Sequence, residues 1–188
     1  MPSLAITDAV LFLCAAYLAF QRGLPIGYRL AFGVLSLAAL LGVLKFSGLY
    51  PLDTWHRLFG ILSGSAALPL LAASVKWPQS AVATKRQFAL IFLGAAAMVG
   101  LTIAGLGKLR IYDQLLGGLS LLAMLWMLIQ LGNARRILGI VIMIVGSVLF
   151  LAKVKLALWL QPGDFLHLGM AMGILLLAPT VNRSKQVQ

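Results

Sequence analysis

Two short stretches, DTWH at residues 53–56 and DFLH at residues 164–167, each place an aspartate three residues before a histidine, and the chain has no other histidine. Residues three apart on a helix share a face, so Asp53 with His56 and Asp164 with His167 form two pairs able to hold a cation or pass a proton. Two imidazoles and two carboxylates suit a divalent metal such as zinc, whose catalytic sites use three protein ligands and keep a position for water. A remaining carboxylate, Asp53 or Asp164, is then placed to act as base on that water, with Ser47 nearby in the sequence to assist or orient. The same two histidines, on two helices at equal depth, can instead be the axial ligands of a haem, with Lys45, Lys155 and Arg57 against its propionates. A third reading is a proton-coupled carrier or gate. A non-catalytic membrane subunit is a fourth.

The elements that carry these residues are set by composition. Of 188 residues, 62% are hydrophobic and 10% charged, with a mean hydropathy of +1.02; no soluble core wrapped in a polar surface has that balance. About 20 mostly apolar residues make a membrane helix, and breaks at charged, proline and glycine clusters predict seven, near 7–21, 29–49, 54–75, 87–107, 111–131, 136–160 and 164–181. The runs are solidly apolar, without the alternation of a barrel strand. The expected fold is therefore all-α, a single polytopic membrane bundle over residues 1–188. MPSLAITD lacks the positive start of a cleavable signal, and Cys14 reads as a small apolar helix residue.

Nine of the fifteen basic residues, Arg22, Arg29, Lys76, Lys85, Arg86, Arg135, Arg136, Arg183 and Lys185, fall in the first, third and fifth loops and the C-terminal tail. The positive-inside rule then predicts the N-terminus out and the C-terminus in. Six others, Lys45, Arg57, Lys108, Arg110, Lys153 and Lys155, lie on the opposite side. The net charge of +11 is spread over every loop, which points to anionic lipid headgroups and away from nucleic acid. A plasma membrane, in a bacterium the inner membrane, is the expected location. Homo-oligomers or a membrane complex partner are compatible with the pattern.

An internal repeat organises the chain. Residues 30–70 set against 141–181 at one offset pair Ser36 with Ser147, Asp53 with Asp164 and His56 with His167, and ITD at 6–8 pairs with IYD at 111–113. Repeat 1 covers about 6–75, repeat 2 about 111–181, and a linker helix about 87–107 joins them. An odd number of helices separates the copies, so the expected 3+1+3 repeat is parallel. Its four acids, Asp8, Asp53, Asp113 and Asp164, are the only ones in the chain, and each is expected to open an odd-numbered helix on the outer side. A carboxylate there caps a helix and gains about 0.3–1 kcal/mol from the macrodipole. Capping is the expectation for Asp8 and Asp113. It leaves the histidines of the two DxxH stretches unexplained, and ionisable groups inside membrane helices default to function.

Seven helices with an Asp/His pair opening the third and another opening the seventh resemble the CREST group of membrane proteins, which includes alkaline ceramidases and progestin/adiponectin-receptor-type proteins. The resemblance implies zinc held by histidines and aspartate, and hydrolysis of amide or ester bonds in lipid-like substrates. It carries over onto His56, His167, Asp53 and Asp164 as ligands. The second histidine of that group's HxxxH is absent here: Ala171 stands four residues after His167 and Gly163 four before. The chain is also similar to small uncharacterised bacterial seven-helix proteins, and its duplicated three-helix units resemble the layout of SWEET-type transporters.

No phosphate-binding glycine loop, CxxC, HExxH or GxSxG occurs. The small residues of GILSGSAAL, of LGAAAMVG and around Gly105 and Gly117 are expected to let helices approach closely. Tyr50, Trp55, Trp77 and Trp159 lie near segment ends, as interfacial aromatics do. The methionines read as packing residues.

Overall fold

A computed structural model describes residues 2–105, 112–155 and 160–179. Lys108, Arg110, Trp159, Arg183 and Lys185 lie outside the described residues. The described chain is all-α: α1 (Pro2–Phe20), α2 (Ile26–Phe46), a 3-10 turn (Tyr50–Leu52), α3 (Asp53–Leu62), a π-helical turn (Ser63–Ala67), α4 (Leu68–Lys76), a short α5 (Ala81–Thr84), α6 (Arg86–Gly105), α7 (Tyr112–Gln130), α8 (Ala134–Leu151) and α9 (Pro162–Leu177). Among the described residues six runs are long and apolar enough to cross a membrane, counting Tyr50–Lys76 as one. The seventh apolar helix, α9, has 16 residues, about 24 Å at 1.5 Å per residue, which is less than a hydrocarbon core of about 30 Å.

Local chemistry explains where these boundaries depart from the expected ones. α1 begins at Pro2, so Asp8 lies well inside it and does not open it. α8 stops at Leu151 because Lys153 takes φ 52°, a left-handed conformation no α-helix continues through. α9 starts at Pro162, whose fixed φ suits a first helical position. Within Tyr50–Lys76 the helix widens just before Pro69, which has no N–H to donate and crowds the carbonyl four residues back. Leu68 N–H reaches back to Ser63 O. The Ser63 and Ser65 hydroxyls bond the carbonyls of Phe59 and Ile61 at 2.8 and 2.7 Å.

Close approach of helices rests on glycine, as the small-residue stretches predict. A Cβ on Gly64 would run into the Asp113 backbone, and one on Gly100 into the Ser65 hydroxyl; α4 and the π-helical turn thus meet α6 and α7 at a crossing without side-chain bulk. The pair α8 and α9 uses the same device through Gly139, Gly146, Gly169 and Gly173. A Cβ on Gly146 would lie 2.6 Å from Phe165 O, and one on Gly169 3.1 Å from Gly146 Cα. Gly169 and Gly173 form a GxxxG spacing on α9. Between these crossings Tyr28, Phe32, Leu70, Leu71, Met124, Leu128, Ile140, Met143, Ile174 and Leu177 are fully buried.

The two ends of the bundle differ in charge. Loops 21–25, 77–85 and 131–133 gather at one end with the C-terminus of α9; this is the basic end. Three arginines there satisfy helix carbonyls. Arg29 Nε donates to Ala19 O at 3.0 Å, Arg135 to Leu175 O at 2.9 Å, and Arg136 Nε to Leu177 O at 2.8 Å while its other nitrogen meets the Tyr28 hydroxyl. These close the last turns of α1 and α9, whose carbonyls have no partner within the helix. All four aspartates lie toward the opposite, acidic end.

The glycine crossing makes a direct prediction. Gly146→Ala forces the α8 and α9 backbones apart and lowers unfolding stability in detergent by about 1–3 kcal/mol. Gly33→Ala has nothing within 4 Å of the new Cβ and is neutral or stabilising by up to about 1 kcal/mol.

Candidate functional site

At the acidic end α1 lies against both α2 and α9, and four side chains meet between them: Thr7 and Asp8 from α1, Asp164 and His167 from α9. Asp8 is 2% exposed and Asp164 0%. The Thr7 hydroxyl donates to Asp164 Oδ1 at 2.8 Å, and the Gln161 backbone N–H donates to Asp164 Oδ2 at 2.7 Å. Both carboxylate oxygens of Asp164 are therefore engaged. The second of these bonds closes the first turn of α9, which is the capping role an aspartate there can play.

His167 joins this group to Asp8. Its Nδ1 lies 3.2 Å from Asp8 Oδ1 and 3.4 Å from the Thr7 hydroxyl. With the Thr7 proton committed to Asp164, this geometry assigns a proton to Nδ1, shared toward Asp8. Asp8 Oδ2 is buried and has no hydrogen-bond partner. It points at Gly42 of α2, where any Cβ would collide with the carboxylate. Lys45, one turn along the same helix, is near enough for its charge to act on Asp8.

The other DxxH stretch has a different environment. Asp53 opens α3 and is paired with Lys45 at 2.5 Å, its side chain 62% exposed. The His56 ring packs edge-on against Phe46, centroids 5.7 Å apart. Ser47 is exposed at the C-cap of α2, its backbone N–H donating to Val43 O. Among the described residues there is no group of three or more His, Cys, Asp or Glu side chains placed to hold one metal ion. The four residues of the ligand set implied by the resemblance lie in two groups: Asp164, bonded by Thr7 and Gln161, with His167 beside Asp8, and Asp53, paired with Lys45, with His56 against Phe46.

The DFLH spacing marks Asp164 and His167, but nothing local in the sequence marks Thr7 and Asp8 as their partners. The available signal is an acid within an apolar helix, visible only once α1 is seen to begin at Pro2 rather than near residue 7.

Apolar helices long enough to span a bilayer, joined by short turns and carrying a buried polar cluster at one end, define a multi-pass integral membrane protein. Within that class the chain belongs to a family of unknown function, DUF6962, which it matches over residues 3–186. No curated protein and no solved structure matches it.

The cluster predicts a contrast between two hydroxyls. Thr7→Val keeps the shape of the side chain but strips a donor from a fully buried carboxylate, at a cost of about 1–3 kcal/mol in unfolding measurements. Ser63→Ala removes a hydroxyl that bonds only its own helix and changes stability by less than about 0.5 kcal/mol.

Proposed function

We propose that this protein is a proton-translocating membrane carrier whose proton is shared by Asp8 and His167, beside the Asp164 carboxylate. The observation that carries the reading is the Asp8 carboxylate: buried, one oxygen beside His167 Nδ1 and the other without a partner. That oxygen lacks a donor whether Asp8 is ionised or carries its proton on the oxygen beside His167, and the lack costs less in the neutral form. A proton has two resting places 3.2 Å apart, and its position changes the charge facing Asp164 across the α1 and α9 contact. Lys45 on α2 adds a positive charge to the surroundings of Asp8. Groups of this kind within membrane helices form proton relays.

The larger architecture belongs to the same reading: seven spans in a 3+1+3 parallel repeat, N-terminus out, in a plasma membrane. Neighbour relations support it. α1 packs on α2 and α9, and α7, its counterpart, packs on α8 and on α4 with the π-helical turn. The basic loops support the orientation.

Purified protein in liposomes with an entrapped pH dye tests the proposal. Under an imposed pH gradient the wild type should dissipate the gradient faster than protein-free vesicles, and Asp8→Asn and His167→Gln should return the rate to the vesicle background. Asp53→Asn, at the exposed ion pair, should keep the wild-type rate. Wild-type vesicles indistinguishable from empty ones would overturn the reading, as would full activity in Asp8→Asn.

A further inference from the structure

The basic end holds a concavity unrelated to the acidic cluster. It is a shallow, open cleft of about 530 Å³ formed where the turn before α2, the start of α2, the segment after α4 and the start of α6 come together. Arg29, Arg86, Gln79 and Thr84 supply its polar lining, and Leu24 with Pro25, Ile26 and Pro78 its apolar wall.

Helix starts and basic side chains together give this cleft a preference for an anion. Two spanning helices, α2 at Ile26 and α6 at Arg86, begin in its wall, so the positive ends of two macrodipoles face it. Pro25, at the start of α2, offers no side-chain cap to the free N–H groups there. Arg29 and Arg86 add two full charges. Among the described residues no carboxylate side chain offsets them: the sequence has four in all, and Asp8, Asp53, Asp113 and Asp164 lie toward the other end. Arg29 spends its Nε on Ala19 O, while Arg86 is exposed.

Depth selects among anions. Trp77, 55% exposed, sits beside the cleft with Lys76 Nζ 4.5 Å from its ring centre, an aromatic and cation pairing that seats at the headgroup level of a bilayer. The apolar wall next to the arginines suits a glycerol backbone or the first carbons of an acyl chain. We propose that this cleft binds the phosphate of an anionic phospholipid headgroup, with Arg86 as the principal ligand and Arg29 and the two helix starts as supports. A free phosphate shares the charge chemistry but would not use the apolar wall.

Native mass spectrometry of the full chain in detergent, titrated with phosphatidylglycerol, phosphatidylcholine or inorganic phosphate, tests this. Wild type should retain one phosphatidylglycerol in preference to phosphatidylcholine, and Arg86→Gln should weaken that binding by about tenfold or more, the equivalent of one charge-assisted hydrogen bond. Lys85→Gln, an adjacent cation that does not line the cleft, should leave it unchanged. Equal retention by Arg86→Gln and wild type overturns the site. Equal loss in Lys85→Gln overturns it too, by showing general charge attraction. Inorganic phosphate displacing the lipid at equal concentration overturns the headgroup assignment.

Discussion

A carbonyl or N–H left unpaired in hydrocarbon has no water to turn to, at a cost of several kcal/mol. That constraint shapes both ends of the bundle. Helices solve it along their length but leave four carbonyls open at each C-terminus. At the basic end Arg29, Arg135 and Arg136 reach the last turns of α1 and α9 and close them. These side chains also join elements distant in sequence, since Arg136 holds α9 and the Tyr28 hydroxyl of α2 together. A net charge of +11 is thus partly structural.

At the acidic end the same constraint is met at one place and left open at another. Asp164 is fully buried yet fully bonded, because Thr7 and Gln161 each supply a donor. Asp8 has a histidine on one oxygen and only the backbone of Gly42 before the other. Glycine packing makes this possible, since a side chain at residue 42 would leave no room for the carboxylate. The polar cluster and the small-residue contacts are therefore one arrangement, with α1 held by α2 on one side and α9 on the other.

Membrane character and the positions of the spans were legible because about 20 apolar residues in a row have few other fates. Half of the cluster was legible as well: DFLH names Asp164 and His167 and puts them on one face. Their partners were not, because Thr7 is 157 residues away from Asp164 and nothing local announces such a meeting. The identical spacing of DTWH and DFLH suggested identical roles, yet neighbours decide burial. α9 is enclosed between α1 and α8, whereas α3 buries no residue at all. Ser47 looked close to Asp53 along the chain, but as the C-cap of α2 it stays exposed. The three arginine caps were hidden for a similar reason, since a basic loop residue reads as solvated until the helix end beside it is known.

The π-helical turn at Ser63–Ala67 divides one span into two unlike halves. An extra residue in a turn rotates everything beyond it by about 100° relative to a regular helix, so the sequence on either side can answer to different neighbours. Below the turn α4 buries Leu68, Leu70, Leu71, Ser74 and Val75; above it α3 buries none. The upper half is a ten-residue arm with its fulcrum at the wide turn, fastened at its tip by the Lys45 and Asp53 ion pair. An arm with so little core of its own stands at the low-stability end of a fold, while the buried residues of α4 anchor the other half of the same span.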